Sequence, residues 1–89
     1  MVTYDEAKRQ SNLTKHGIDL ADVGAVFDGL MHTEEDSRMD YGERRLQSLG
    51  WFRGRVVFLV WTDCSDGPRI ISCRYGGKYE TLRYFKILA

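Results

Sequence analysis

The sequence predicts an α+β domain, two N-terminal helices, a three- to four-stranded antiparallel sheet and a C-terminal helix. Three observations carry this. Apolar residues recur at helical spacing through Leu20, Val23, Val26 and Phe27. Six consecutive apolar residues, Val56 to Trp61, fill a β-branched and aromatic run bounded by Arg-Gly and Asp, the pattern of a buried central strand. Asp66-Gly67 then marks a hairpin between that run and the next. Helices and strands segregated along the chain in this way belong to the α+β class.

The first helix is expected to start near Asp5, which with Glu6 suits the positive helix N-terminus. It stops at Gly17, with Lys15 and His16 facing the negative end. Lys8, Asn12 and Lys15 fall at i, i+4 and i+7 and form a polar ladder on one face. "IDLADVGAVFDG" reads as a second helix with Asp19 as N-cap and Asp28-Gly29 as its end. After it the period changes. "LMHTEED" is a short strand and "SRMDYGER" a charged turn. "RRLQSLGWF" alternates, with Arg45, Gln47, Leu49 and Trp51 on one side. "RVVFLVWT" and "RIISCRY" are the next two strands. "GGKYETLRYFKILA" opens with a glycine break and ends in a helix, with Tyr79, Leu82 and Phe85 expected inward. The helices are expected on one sheet face, leaving the other free as a functional surface.

Eighty-nine residues support a single domain, residues 1–89. Such a chain buries roughly 60–65% of its unfolded surface. Hydrophobic residues at 43% supply a core, and one proline with no low-complexity run argues against disorder. No apolar run approaches the ~18–20 residues that span a membrane. "MVTYDEAKRQ" lacks the apolar core of a signal peptide, so a cytoplasmic protein is expected. Cys64 and Cys73 flank a turn without metal-ligand spacing. Reduced thiols are expected, a single disulfide being the alternative. Neither a phosphate-binding glycine loop nor a dinucleotide fingerprint is present, and no metal or cofactor is expected.

The zero net charge hides a split. Residues 1–43 carry four Lys/Arg against ten Asp/Glu, a balance of −6, and residues 44–89 carry nine against three, a balance of +6. Either the fold presents a polyanion-facing surface opposite an acidic one, or it interleaves the halves into a mixed surface.

Three groups hold residues that can do chemistry. In "KHG", His16 at a helix C-terminus is favoured in its protonated form by the dipole, which suits a general acid. The same residues are also ordinary helix-end chemistry. In "DYGERR", Glu43 is a candidate base beside Arg44 and Arg45, which can clamp phosphate. Glu43 and Arg45 share a face if the strand begins there, and Arg44 points away. The third group is Arg69, Arg74, Lys78, Tyr79, Glu80 and Arg83, basic residues interleaved with tyrosine as single-stranded RNA sites use. Arg69 and Arg74 differ by an odd number, so a regular strand sends them to opposite faces unless a bulge intervenes. These residues are compatible with RNA cleavage in which the 2′-hydroxyl is the nucleophile. The protein then needs only to move two protons and steady the phosphorane.

"DEAKRQSNLTKHGIDLADVGAVFD", "DYGERR", "GRVVFLVWT" and "RIISCRY…E…Y" resemble the BrnT family of type II toxins, in order and through nearly the whole chain. The K-x3-N-x2-KHGI string is the most specific part. Lys8, Asn12, Lys15, His16 and Gly17 match the first motif, Asp40, Tyr41, Gly42, Glu43 and Arg44 the second, and Arg69, Ser72, Arg74, Glu80 and Tyr84 the third. The chain departs from the pattern at Tyr75-Gly76-Gly77-Lys78-Tyr79, where relatives carry a basic, alanine-containing link. The resemblance implies a RelE-like, metal-independent ribonuclease that blocks translation. It also implies a BrnA-type ribbon-helix-helix antitoxin as partner in a two-plus-two heterotetramer, with operator DNA bound through the antitoxin. Together these readings name His16, Glu43, Arg74, Lys78 and Glu80 as catalytic candidates. Lys8, Lys15, Arg44, Arg45, Arg69, Tyr79 and Arg83 are the RNA-binding candidates. The competing reading is a non-catalytic interaction module whose basic face docks an acidic partner, motivated by the zero net charge.

Overall fold

A computed structural model describes residues 2–38, 40 and 42–88. The elements run β1 (Thr3–Tyr4), α1 (Glu6–His16), a 3-10 helix (Leu20–Asp28), β2 (His32–Asp36), β3 (Arg45–Phe52), β4 (Arg55–Cys64), β5 (Gly67–Tyr75) and α2 (Lys78–Leu88). The strands form one five-stranded sheet in the order β1-β5-β4-β3-β2. β2 to β5 pair antiparallel, and β1 joins the edge in parallel, Thr3 opposite Arg69 and Tyr4 opposite Ile70. The α+β class stands, with one strand more than expected. Two residues are too few to show a period.

Local chemistry sets the helix ends. Asp5 caps α1 by accepting the Lys8 N–H, and Gly17 closes it at φ 70°, donating its N–H to the Leu13 carbonyl. Arg9 reaches across to Asp19 with two hydrogen bonds, at 2.8 and 2.9 Å, and ties α1 to the next element. That element is a 3-10 helix. Its buried residues, Leu20, Val23 and Val26, are spaced by three, which matches three residues per turn. Gly50 in β3 admits it, because a Cβ there would overlap the Val26 side chain.

The helices lie on both sheet faces, correcting the expected one-sided arrangement. Val57 and Leu59 of β4, with Ile70 and Cys73 of β5, pack with Ile18, Leu20, Val23 and Val26 into the main core. Val56 and Phe58 point the opposite way and meet Tyr84 and Leu88 of α2, together with Leu49. α2 therefore covers one end of the second face. Tyr79, Leu82 and Phe85, expected inward, are exposed, and Tyr84 is the buried residue of the helix. α2 meets the sheet through the stripe of Tyr84 and Leu88, and its other stripes are left outside that contact.

The charge halves interleave. Ion pairs Arg44–Glu35, Arg45–Glu43, Arg53–Asp22 and Arg83–Glu34 all join the basic half to the acidic one. Both thiols are free, and burial pushes the Cys73 thiol up to about 12.

Candidate active site

The part of the second face that α2 leaves uncovered forms an open groove lined by His16, Arg38, Gln47, Phe58, Val60, Ser72, Arg74, Glu80 and Arg83. Five elements, α1, β3, β4, β5 and α2, and the loop after β2 meet there. Strand alternation turns Gln47, Phe58, Val60, Ser72 and Arg74 to this face, as their pairing Gln47–Val60–Ser72 and Phe58–Arg74 requires. α2 contributes Glu80 and Arg83 from one side, and the end of α1 contributes His16 from the β5 edge. A neighbouring hollow lined by Lys8, Ser11, Asn12, Lys15, His16, Ile71 and Ser72 shares His16 and Ser72 with the groove.

The bulge that the sequence left as a condition is present. Val60 opposes Ser72 but Trp61 opposes Ile70, so Ile71 is the extra residue in β5. The slip puts Arg69 and Arg74 on the same face, each beside an even-numbered β4 residue, Thr62 and Phe58.

Arg74 is held from three directions. It makes a bidentate pair with Glu80 at 2.7 and 2.8 Å, donates to the Tyr75 carbonyl at 3.3 Å, and lies over the Phe58 ring at 4.6 Å. Glu80 also accepts the Gly77 N–H at 2.9 Å, the reciprocal bond of a capping box at the start of α2. The Arg74 guanidinium, aided by that N–H against the opposing effect of burial, holds the Glu80 carboxyl below its ordinary value. Glu80 in turn raises the pKa of Arg74. On the opposite wall, Arg38 chelates the buried Asp36 through Nε and Nη2 and holds its carboxyl well below the carboxylate range. His32 and Arg83 both bond Glu34 and lower its pKa.

Asn12 explains why this edge is ordered. Among the described residues, the outer edge of β5 has a strand partner at Arg69 and Ile70 alone. Beyond them the Asn12 side chain stands in for a strand: its Oδ1 accepts the Cys73 N–H at 3.0 Å, and its Nδ2 donates to the Cys73 and Ile18 carbonyls at 2.9 and 2.8 Å. Buried at 4% exposure, the amide satisfies groups that would otherwise be orphaned, and it fixes the end of α1 to β5.

Geometry of this kind can hold an anionic strand and handle protons beside it. The family described as "Ribonuclease toxin, BrnT, of type II toxin-antitoxin system" matches residues 4–80. The chain belongs to the BrnT family of ribonuclease toxins. The crystal structure of the Brucella abortus ribonuclease toxin, BrnT, aligns with a TM-score of 0.65 at 26% identity, covering 86% of this chain and 96% of that one. No curated protein matches. As a BrnT-family member the chain is a toxin of a type II system and has an antitoxin partner.

Within this BrnT fold, His16, Arg74, Glu80 and Arg83 gather in the groove, and Lys8 and Lys15 line the adjoining hollow. Arg69 stands on the same face nearer the β4–β5 turn. Other candidates are placed elsewhere. Glu43 and Arg45 pair with one another at 3.2 Å, Glu43 just ahead of β3 and Arg45 its first residue. Arg44 pairs with Glu35 at 3.7 Å. Lys78 and Tyr79 are exposed on α2 outside the groove lining, and Tyr41 lies outside the described residues. Arg38 and Phe58 were not among the candidates. Strand parity within "RVVFLVWT" would have grouped Phe58 with Arg74 once the register was known, whereas nothing local marks Arg38. Among the described residues no three His, Cys, Asp or Glu side chains gather as a metal site needs, and no helix is long and apolar enough to cross a membrane.

Proposed function

We propose that this toxin, acting as one unit over residues 1–89 in the cytoplasm, cleaves RNA without a metal and so blocks translation. The observation that carries the reading is the convergence of His16, Arg74, Glu80 and Arg83 in one open groove beside Lys8 and Lys15. In the reaction the RNA 2′-oxygen attacks the adjacent phosphorus, and the bond to the 5′-oxygen breaks. The products are a 2′,3′-cyclic phosphate and a 5′-hydroxyl. Glu80 takes the 2′ proton, and His16 returns one to the leaving oxygen. Before substrate arrives, Arg74 keeps Glu80 ionised and weakly basic. A phosphate that draws Arg74 toward itself frees the carboxylate and restores its basicity. Arg74 and Arg83 then face the charge that develops on the phosphorane. Lys8, Lys15 and Arg69 hold the flanking strand. The resemblance supports a BrnA-type ribbon-helix-helix antitoxin in a two-plus-two assembly that represses its own operon.

The test uses purified toxin freed of its partner, incubated with RNA in chelator. Cleavage leaving cyclic-phosphate or 3′-phosphate ends is expected, and Glu80→Gln or His16→Gln should each slow it by about 100-fold or more. Cleavage that requires Mg²⁺ overturns the metal-free mechanism. If no RNA is cut and expression leaves growth unchanged, the ribonuclease reading fails.

A further inference from the structure

The outer side of α2 exposes apolar side chains that the groove does not use. Leu82 is 57% exposed and Phe85 44%, and the Phe85 ring meets Trp51 of β3, itself 45% exposed, edge-on at 5.8 Å. Beside them is a hollow lined by Trp51, Gly54, Arg55, Val56, Gly76, Thr81 and Phe85. On their inner side Trp51 and Phe85 pack against the buried Tyr84 ring, at 6.3 and 5.4 Å, and their outer sides, with Leu82, are left open. This apolar strip is separate from the groove, because Glu80 and Arg83 leave the other side of the same helix.

Its rim is cationic. Lys78 and Lys86 lie four residues to either side of Leu82, one turn each way along the helix, and Arg55 lines the hollow. Most arginines of the chain are spent on ion pairs, but Lys78, Lys86 and Arg55 make none among the described residues. Arg55 lies over the Tyr75 ring at 3.9 Å, which leaves its charge without a carboxylate partner. An apolar stripe bordered by cations of this kind is complementary to an amphipathic helix with an apolar ridge and Asp or Glu beside it. An exposed leucine at the centre favours a protein occupant over RNA, whose bases seek flat aromatic or guanidinium faces.

We propose that the antitoxin of this toxin seats an acidic amphipathic helix on the strip formed by Trp51, Leu82 and Phe85, its carboxylates meeting Arg55, Lys78 and Lys86. The proposal rests on membership of a toxin–antitoxin family and not on the mechanism of cleavage. Seated there, the antitoxin grips the helix that carries Glu80 and Arg83, and so acts on the wall of the groove without entering it.

The experiment measures binding of the antitoxin encoded beside the toxin gene by titration calorimetry, with circular dichroism to verify folding of each variant. Leu82→Asp places a charge on an already exposed position and is expected to weaken binding by about 30-fold or more, as loss of an interface hot spot does. Arg55→Glu is expected to weaken it as well and to flatten its salt dependence relative to wild type, since Lys78 and Lys86 remain on the rim. Cleavage of RNA by free Leu82→Asp toxin stays at the wild-type level. Unchanged antitoxin affinity in a folded Leu82→Asp variant overturns the proposal. It is equally overturned if that variant loses RNA binding, which would make the strip a nucleic-acid platform, or if it only dissociates a toxin homodimer. Since affinity is read directly, a toxin that proves unable to cut RNA leaves this test intact.

Discussion

Asn12 shows how much one side chain can settle in a chain of this size. Its amide fills three backbone hydrogen-bonding positions at the end of a sheet edge, two on Cys73 and one on Ile18. Asn12→Ala leaves those groups buried and unpaired, and each such group costs about 1–3 kcal/mol. A loss of about 2 kcal/mol or more in urea unfolding is therefore expected, whereas Lys8→Ala, one turn away and exposed, should change stability little. Asp19 gives a second expectation. Arg9, and after it the Ala21 N–H, lower its pKa from the usual 3.8 to about 2. A carboxyl whose pKa is lower folded than unfolded binds fewer protons in the folded chain between the two values. Its stabilisation is complete above about pH 4 and is lost as the pH falls toward about 2. Arg9→Gln should flatten that part of the acid limb when urea midpoints are compared across pH, while leaving the slope due to other carboxylates.

Among elements, the 3-10 helix and α2 show opposite outcomes of the same apolar patterning. Leu20, Val23 and Val26 all find cover because β3 offers Gly50 as a docking point. Gly50→Ala forces a methyl group into Val26, and over-packing of this kind costs about 1–3 kcal/mol. A thermal melt lowered accordingly, with the sheet signature in circular dichroism retained, is the expected result. α2 has no such reception for Leu82 and Phe85, because it meets the sheet through Tyr84, whose hydroxyl donates to the Leu30 carbonyl at 3.1 Å.

At the scale of the whole molecule, zero net charge and a groove lined by arginines are compatible because acids and bases are distributed by pairing. Among the described residues, the ion pairs Arg44–Glu35, Arg45–Glu43, Arg53–Asp22 and Arg83–Glu34 cross the boundary between the charge halves. Lys8, Lys15 and Arg69, all toward the β5 side of the site, take no part in ion pairs among the described residues. Arg69→Ala is expected to weaken RNA binding and to reduce the slope of log affinity against log salt by about 0.7, the value of one phosphate contact on a single strand. An unchanged slope with weaker binding would mean that Arg69 touches a base or supports the fold.

Helix starts and stops, the central strand and the turns were legible because each depends on neighbours in sequence: Asp5 and Gly17 at the ends of α1, Val56 to Trp61 in β4, and the β4–β5 turn, which closes on Ser65 and Asp66. His16, Arg74, Glu80 and Arg83 were legible as residue types, and the family resemblance placed the first three in its motifs. Their meeting was not. It required the bulge at Ile71, which reverses the parity of Arg69, and the passage of α2 onto the second sheet face. Both are long-range outcomes: which face a strand residue presents depends on pairing with another strand, and which stripe of a helix is buried depends on the area the sheet has left to cover. The sequence by itself determined the α+β class, the order of the main elements and four of the residue types that line the groove, His16, Arg74, Glu80 and Arg83. Only the tertiary structure decided that Asn12 is a structural pin, that Glu43, Arg44 and Arg45 close local ion pairs, and that Leu82 and Phe85 face outward. The physical reason is that periodicity reports which residues want burial, while the packing of distant elements settles which of them obtain it.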